Sequence, residues 1–401
     1  MPASKTAELP FFPGNTYHGP AAIYIHWPFC LKKCPYCDFN SHVRDEVSHI
    51  DWKNALVKEV EHLAALYPNL NAKSIFFGGG TPSLMEPETV AAVIDTVKTK
   101  WAPKQSIEVS LEANPSSVEA GRFRAYKEAG INRLSVGIQS LDNDVLRFLG
   151  RLHSAEEALA ALKVARDNFD RVSFDLIYAR PEQTKEAWHK ELTEALSFGV
   201  SHMSLHQLTI EEGTAFYHQF NRGKFALPDE DVSTMMFNET QEIMSKAGLP
   251  AYEISNHARP GDESQHNLAY WQGDYYVGIG PGAHGRLPGL SHGSADAHAQ
   301  IKRPEDWLNA VVSRGTGLET IDHIETNDRA IEAVMTGLRL TNGIDVNRWE
   351  HQFDRSIRST LNNETLNDMK TSGHVVEEGG FLRLTSEGRP LLNFILGKLL
   401  A

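Results

Sequence analysis

The sequence is short of the features that mark membrane, secreted and nucleic-acid-binding proteins. Within its 401 residues, no uninterrupted apolar run approaches the roughly 18 residues of a transmembrane helix. Residues 1–20 lack the basic start and apolar stretch of a secretory signal, and they are typical of a loosely ordered lead-in. A formal net charge of −13 disfavours non-specific binding to nucleic acids or anionic membranes. We therefore expect a cytoplasmic protein with no nucleic-acid partner.

Cysteine is scarce as well, and all three cysteines fall in one loop. Cys30, Cys34 and Cys37 have the spacing Cys-x3-Cys-x2-Cys, an odd and clustered set that excludes a disulfide framework. In a reducing compartment such a set indicates a metal or catalytic site. Because thiolates are the usual ligands of iron–sulfur clusters, three of them can hold three irons of a [4Fe–4S] cluster and leave the fourth iron open. The adjacent Lys32 and Lys33 are expected to lower the thiol pKa values.

A zinc site is the alternative use of these cysteines. A Cys3His site would take His26 or His42 as its fourth ligand. Zinc motifs usually combine two Cys-x2-Cys pairs, and the sequence has no second pair. The spacing therefore favours the iron–sulfur cluster over a zinc-stabilised scaffold.

The apolar patterns alternate between strands and helices over the first half of the chain. The predicted strands are residues 22–26, 74–77, 106–112, 133–138, 171–176 and 202–208. Strands separated by helices pair in parallel through right-handed crossovers. The expected fold is therefore α/β, a partial (β/α)6 barrel over residues 21–220, with its chemistry at the carboxyl ends of the strands.

The pattern changes after the sixth strand. Residues 221–303 are predicted to form a loop-rich extension, and residues 304–401 a helical, winged-helix-like domain. From Asp306 onward the chain has 10 Lys and Arg against 14 Asp and Glu, a net charge of −4. This balance favours a structural or docking role for the C-terminal domain over DNA binding.

Polar and glycine-rich residues follow the predicted strand ends. Residues 78–82 read Gly-Gly-Gly-Thr-Pro, a segment whose backbone could bind an amino-acid-like ligand or form a plain tight turn. Glu112, Gln139, Arg151 and Asp175 lie at or near the next strand ends. Together they offer carboxylates for an amine and for ribose hydroxyls, and a guanidinium for a carboxylate.

These residues resemble the radical S-adenosylmethionine superfamily. The stretch from Ile23 through Cys30 to Phe39 carries the resemblance, and residues 78–82 and 173–178 agree with it. The similarity is to the branch that contains oxygen-independent coproporphyrinogen III dehydrogenase and the heme chaperone HemW. It implies a [4Fe–4S] cluster that cleaves S-adenosylmethionine reductively to methionine and a 5′-deoxyadenosyl radical, with the protein supplying orientation and exclusion of solvent.

The resemblance also implies roles for individual residues. Tyr24 and Tyr36 would flank S-adenosylmethionine. Its methionine part would be contacted by Gly79, Gly80 and Thr81. The rest of its pocket would be lined by Glu112, Gln139, Arg151 and Asp175.

Two departures separate this chain from the dehydrogenase. That enzyme has a further cysteine where this chain has Phe39, and a longer segment before its first strand. The stretch from His266 to Trp271 resembles the His-Asn-x-x-Tyr-Trp motif of the HemW type, which implies His266 as a heme ligand. His257 and His284 are competing ligands, and a hydrogen-bonded structural histidine is the alternative.

Three functions stay open on these grounds. The first is a HemW-like chaperone that binds heme and passes it to a client protein, with a flavodoxin or ferredoxin as electron donor and peripheral contact to membrane-bound clients as an option. The second is oxygen-independent coproporphyrinogen III dehydrogenase, which decarboxylates porphyrinogen propionates. The third is the zinc-stabilised, non-enzymatic scaffold.

Overall fold

A computed structural model describes residues 17–401, apart from the side chain of Val118. Most of the predicted lead-in, residues 1–16, therefore lies outside the described residues. Its last two residues, Gly19 and Pro20, already belong to the first strand.

Sixteen strands make up three sheets in the described part of the chain. The strands are β1 (Gly19–Trp27), β2 (Phe29–Cys30), β3 (His42–Val43), β4 (Leu70–Gly79), β5 (Glu108–Ala113), β6 (Arg133–Gln139), β7 (Arg171–Tyr178), β8 (His202–Gln207), β9 (Asn256–Ala258), β10 (Tyr275–Ile279), β11 (His284–Pro288), β12 (Ala295–Gln300), β13 (Leu318–Ile324), β14 (Ile344–Asp345), β15 (Val375–Glu378) and β16 (Phe381–Leu384).

Helices connect most of these strands. The α-helices are α1 (His49–Leu66), α2 (Pro87–Lys100), α3 (Ser117–Ala120), α4 (Phe123–Glu128), α5 (Asn143–Phe148), α6 (Ala155–Asn168), α7 (Lys185–Leu196), α8 (Ala215–Asn221), α9 (Glu230–Lys246), α10 (Gln265–Trp271), α11 (Pro304–Arg314), α12 (Thr326–Gly337), α13 (Val346–Phe353), α14 (Asn363–Thr371) and α15 (Leu392–Leu399). Short 3-10 turns occupy Pro82–Leu84, Ile357–Ser359 and Arg389–Leu391. None of the described helices combines the length and apolar character that a bilayer crossing demands.

The main sheet is open and mostly parallel. Its strand order is β13-β12-β11-β10-β1-β4-β5-β6-β7-β8-β9. The run from β10 through β8 pairs in parallel throughout. The six predicted strands correspond to β1 and β4–β8, so the prediction of six parallel β/α units is confirmed. Parallel pairing brings the carboxyl ends of these strands to one edge, where the polar loops follow.

The sheet forms from these residues because its central strands bury both faces. In β1, the consecutive residues Ala21, Ala22 and Ile23, whose side chains alternate between the two faces, are all fully buried. The core continues into the helices, where Leu56 and Val60 of α1 are also fully buried. Continuous burial of this kind is typical of parallel strands that helices cover.

The region predicted as a loop-rich extension contributes strands to this same sheet. Strand β9 pairs antiparallel with β8 at one edge, and β10 extends the other side of β1. Strands β11, β12 and β13 continue outward in antiparallel order. Short strands among Gly and His residues carry little periodic signal, so their pairing was not predictable from the sequence.

The C-terminal unit begins later in the structure than the predicted residue 304. Helix α11 packs against α1, and β13 belongs to the main sheet. The buried Glu59 carboxylate of α1 accepts hydrogen bonds from Thr316 Oγ1 (3.0 Å) and the Gly317 amide (2.7 Å), which ties this segment to the barrel. From α12 onward, helices surround the small sheet β14-β16-β15 around a separate apolar core. This arrangement has the helices and β-hairpin expected of a winged-helix-like unit.

A buried ion pair fixes the loop after β7. Arg180 and Glu191 form a salt bridge with side chains only 7% and 10% exposed. Arg180 Nη1 donates to Ser140 Oγ (2.6 Å), and Glu191 Oε1 accepts from the Leu141 amide (2.9 Å). The pair therefore joins the loops that follow β6 and β7.

We expect Arg180→Ala to lower the free energy of unfolding by about 3–5 kcal/mol, because it leaves the buried Glu191 carboxylate without its partner. Arg124→Ala is the matched control: its ion pair with Glu128 is exposed, and its loss should cost under about 1 kcal/mol. Urea unfolding measures both values. Equal losses in the two variants would contradict the role of the buried pair.

Candidate functional site

The cysteine loop leaves the carboxyl end of β1. Trp27 and Phe29, which precede the first cysteine, are 1% and 5% exposed and anchor the loop in the core. Strand β2, which ends at Cys30, pairs in parallel with β3. All three cysteines are free and partly buried, and the Cys37 amide donates to the Cys34 carbonyl (3.2 Å). The loop thus holds its three thiols on a folded, anchored backbone.

The glycine segment after β4 packs directly on this loop. The amide of Gly80 donates to the Trp27 carbonyl (2.7 Å), and that of Thr81 to the Phe29 carbonyl (2.8 Å). A Cβ at Gly80 would lie 2.7 Å from the Phe29 oxygen, so a side chain would push the two segments apart. Gly79 has a φ of 112°, a conformation that glycine adopts without strain. These glycines therefore let β4 dock against the cysteine loop.

A polar network joins the thiols to the neighbouring strand ends. Thr81 Oγ1 donates to Cys30 Sγ (3.4 Å) and accepts from Asn114 Nδ2 (3.1 Å). Arg151 Nη1 donates to Cys34 Sγ (3.6 Å), while its Nη2 donates to Asn114 Oδ1 and the Gly137 carbonyl (2.8 Å). The sequence predicted Thr81 and Arg151 for this site but missed Asn114. Its position just after β5 was the available signal.

These elements enclose a cavity of about 570 Å³ at the carboxyl edge of the sheet. Its volume lies in the range of small-molecule and cofactor sites. Eleven of the predicted site residues line it: Cys30, Cys34, Tyr36, Cys37, Gly79, Gly80, Thr81, Glu112, Gln139, Arg151 and Asp175. Gln139 reaches it from the end of β6 with a φ of 74°, a conformation uncommon for residues other than glycine.

The cavity also has lining residues that the sequence analysis did not single out. Ser135, His206, Leu208 and Phe237 are among them. They come from β6, β8, the segment that follows β8, and α9. Because β8 and α9 contribute no recognisable motif, pattern reasoning had no means of assigning their residues to the cavity.

Two carboxyl groups, those of Glu112 and Asp175, line the cavity. Burial, reinforced by the charge of Asp175, raises the pKa of Glu112 to about 8. Burial also raises the pKa of Asp175, against the opposing effect of His206. A cationic group bound between them would offset the repulsion and favour both ionised forms. The pair is therefore suited to a ligand that carries positive charge.

Burial is also the main influence on the pKa values of two of the cysteine thiols. It raises the pKa values of Cys30 and Cys37, and the lowering effect of Lys33 on Cys37 is secondary. Lys33 thus lowers the pKa of Cys37 as expected, but burial of the partly desolvated thiol outweighs it. Metal coordination would supply the charge that favours the thiolate.

Three cysteine thiols in one loop form a donor set that fits an iron–sulfur cluster. Nowhere in residues 17–401 do three His, Cys, Asp or Glu side chains converge on one metal-ion position. A cubane separates the irons that its thiolates bind, so it does not require such convergence. Of the proposed fourth zinc ligands, His26 has both ring nitrogens engaged, with the Tyr24 hydroxyl (3.0 Å) and the Asn40 carbonyl (2.9 Å). His42 bonds to Asn40 Oδ1 (3.1 Å) through Nε2 alone.

His266 lies away from this cavity, towards the amino ends of the strands. Its ring bonds through Nδ1 to Ser74 Oγ (2.9 Å) and through Nε2 to Tyr270 OH (3.0 Å), and it is 1% exposed. Ser74 precedes Gly79 by roughly 16 Å along β4. Both ring nitrogens are thus occupied, and the structure matches the hydrogen-bonded alternative to heme ligation.

Tyr24 is the other predicted residue outside the cavity lining. Its hydroxyl bonds to His26 Nδ1, and its ring stacks on Phe76 with centroids 6.4 Å apart. The ring lies 6.3 Å from that of His266. Tyr24 therefore lies on β1, outside the cavity lining and close to the buried His266.

Comparison with family models and solved structures agrees with this architecture. A model described as "Radical SAM superfamily" matches residues 24–195, and one described as "HemN C-terminal domain" matches residues 324–391. The coproporphyrinogen III oxidase HemN of Escherichia coli has a similar structure, with a TM-score of 0.78, covering 94% of this chain and 89% of that chain. At 22% identity, this similarity shows the fold alone, and it confirms the predicted α/β architecture.

Curated relatives match nearly the whole chain. The heme chaperone HemW of Escherichia coli (strain K12) is 34% identical over 95% of this chain and 98% of its own length. The mouse protein "Radical S-adenosyl methionine domain-containing protein 1, mitochondrial" (Mus musculus) is 40% identical over 93% of this chain and 82% of its own. The chain therefore belongs to the radical S-adenosylmethionine superfamily. Its near-full-length similarity to HemW confirms the branch that the resemblance predicted.

We expect Glu112→Gln to change the pH dependence of stability. The folded protein keeps the Glu112 proton up to a pKa of about 8, whereas the usual value is 4.5. Stability from this group is therefore present below the usual pKa and is lost as the pH rises towards about 8. Urea unfolding of the ligand-free protein at about pH 5 and about pH 8 should show a smaller loss in the glutamine variant. A difference between the two proteins that is the same at both pH values would contradict the shifted pKa.

Proposed function

We propose that this protein is a HemW-like heme chaperone, which binds heme and transfers it to a client protein. The observation that carries the proposal is the match to the heme chaperone HemW over nearly the full length of both chains. Phe39 supports it, because this cavity-lining residue replaces the further cysteine expected of the dehydrogenase. We propose that the protein acts in the cytoplasm.

The proposal assigns the cluster to Cys30, Cys34 and Cys37. When bound, the [4Fe–4S] cluster supplies the electron that cleaves S-adenosylmethionine in this superfamily. Thr81 and Arg151 orient two of the thiols through the bonds described above. Tyr36 closes the cavity wall beside them. The chain's own residues would thus hold, orient and shield the cluster.

S-adenosylmethionine would occupy the cavity next to the cluster. Its ammonium group would pair with the Glu112 carboxylate, and its ribose hydroxyls would bond to Asp175. Gly79, Gly80 and Gln139 line the same space. We also propose Tyr24 as a neighbour of this ligand. Tyr24 lies behind the cavity wall, where its hydroxyl bonds to His26 Nδ1.

The cluster assignment predicts the metal content of the protein. Anaerobic reconstitution should give iron–sulfur absorbance that serine substitution of Cys30, Cys34 or Cys37 abolishes. Thr81→Val, which removes the bond to Cys30, should make the cluster more oxygen-sensitive, while the matched control Thr81→Ser should retain it. Stoichiometric zinc with no such absorbance would favour the scaffold instead.

The chaperone and dehydrogenase functions separate in two assays. Heme titrated into the reconstituted protein should produce a bound-heme absorption spectrum, and an apo-client should gain that heme. Anaerobic incubation with S-adenosylmethionine, a flavodoxin or ferredoxin as electron donor, and coproporphyrinogen III should leave the porphyrinogen unchanged. Formation of protoporphyrinogen IX would reverse the assignment. Clients held at a membrane can be tested in the same transfer assay.

A further inference from the structure

We propose that Glu253 is a positioning residue for the S-adenosylmethionine site, which it serves by tying one wall of the cavity to the C-terminal unit. The inference rests on the proposed placement of S-adenosylmethionine in this cavity, and it deepens that proposal by naming the residue that holds the wall. Glu253 belongs to the segment 251–256, which runs into β9. Some residues of this segment line the cavity, and others bond to the C-terminal unit.

The C-terminal unit holds the segment 251–256 through hydrogen bonds. Thr341 donates to two carbonyls of the segment, once through Oγ1 (2.8 Å) and once through its amide (3.0 Å). Arg389 Nη2 donates to the Glu253 carbonyl (2.9 Å). Arg339 Nη2 donates to the Glu253 carboxylate (3.2 Å). Backbone and side chain of Glu253 are therefore both attached to the C-terminal unit.

The Glu253 carboxylate also fixes the turn that follows it. Its Oε1 accepts hydrogen bonds from the Ser255 amide (2.7 Å) and from Asn256 Nδ2 (2.7 Å), while Oε2 accepts from Arg339. Glu253 is 0% exposed. Removing a buried carboxylate leaves its donors without partners, which is costly in a desolvated interior. We therefore expect the turn to lose its conformation when this side chain is truncated.

The same turn forms part of the cavity wall. Ile254 lines the cavity and also packs against the apolar core of the C-terminal unit. Ser255 lines the cavity as well, and its carbonyl accepts from the amide of Leu205 (2.8 Å), another lining residue. A shift of the turn would therefore move both the wall and the strand end beside it.

Hydrogen bonds also lead from Glu253 to the residue proposed for the ribose hydroxyls. Asn256, which donates to Glu253, accepts from Ser204 Oγ (2.8 Å) through Oδ1. Burial raises the pKa of Asp175, whereas His206 and a hydrogen bond with Ser204 lower it. The orientation of the Asp175 carboxyl thus depends on a chain of contacts that begins at Glu253.

The test measures the S-adenosylmethionine affinity of cluster-loaded protein by equilibrium dialysis. The variants are Glu253→Ala, Glu253→Gln and the matched control Glu332→Gln. Glu332 also joins the C-terminal unit to the main sheet, through its ion pair with Arg286 (2.9 Å), but both partners lie outside the cavity lining. Cluster absorbance and thermal unfolding show that each variant is folded and loaded.

We expect Glu253→Ala to bind S-adenosylmethionine about tenfold more weakly than the wild type. Glu253→Gln should recover part of this loss, because its side-chain oxygen can still accept from the Ser255 amide. Glu332→Gln should match the wild type in affinity. A purely structural role for Glu253 would lower the unfolding temperature but leave the affinity of the folded protein unchanged.

Hydrogen exchange on the wild type gives a second measurement, which does not depend on the folding of Glu253→Ala. Because coupling between two sites is reciprocal, S-adenosylmethionine should slow exchange of the amides of Ser255 and Thr341. The amide of Thr385 is the control, since it bonds to the His374 carbonyl (3.0 Å) within the C-terminal unit. Its exchange should stay the same.

An unchanged affinity in folded Glu253→Ala, or unchanged exchange at Thr341 in the wild type, would overturn the inference and leave the S-adenosylmethionine site in place. An equal loss of affinity in Glu332→Gln would also overturn it, because general loosening of the C-terminal unit would then explain the effect. Failure of the wild type to bind S-adenosylmethionine would overturn both the inference and the site. The heme-transfer assay tests the chaperone function separately.

Discussion

The docking of the glycine turn onto the cysteine loop is the contact on which the site depends. The amides of Gly80 and Thr81 bond to the carbonyls of Trp27 and Phe29, and the space between the two segments admits no side chain at Gly80. This contact fixes Cys30 beside Thr81 at the carboxyl edge of the sheet. Without it, the loop would have no defined position relative to the other strand ends that build the cavity.

The barrel separates two kinds of polar interior. Towards the carboxyl edge, Glu112, Asp175 and Arg151 line an open cavity. Towards the amino ends, Glu108 and His266 are buried and satisfied by hydrogen bonds. Groups of the first kind remain available to ligands, whereas groups of the second kind hold elements together.

Much of this arrangement was predictable, for reasons that differ between residues. The cysteine spacing, the glycine run and the alternating strands are local signals, and parallel topology carries them to one edge. The places of Asn114 and His206 in the cavity lining depend on which strands become neighbours, and no local pattern reports that. The buried state of His266 was equally hidden, because its partners Ser74 and Tyr270 meet it through long-range packing. Strands β9–β13 escaped prediction because they are short and lie in a Gly- and His-rich region.

The central claim is that three cysteines hold a cluster whose open iron faces the cavity proposed for S-adenosylmethionine. The most direct measurement is the electron paramagnetic resonance spectrum of the reduced, reconstituted protein with and without S-adenosylmethionine. Chelation of the open iron changes its ligand field, so the account predicts a clear shift of the cluster signal when S-adenosylmethionine is added. A cluster signal that stays the same at saturating S-adenosylmethionine would contradict the account.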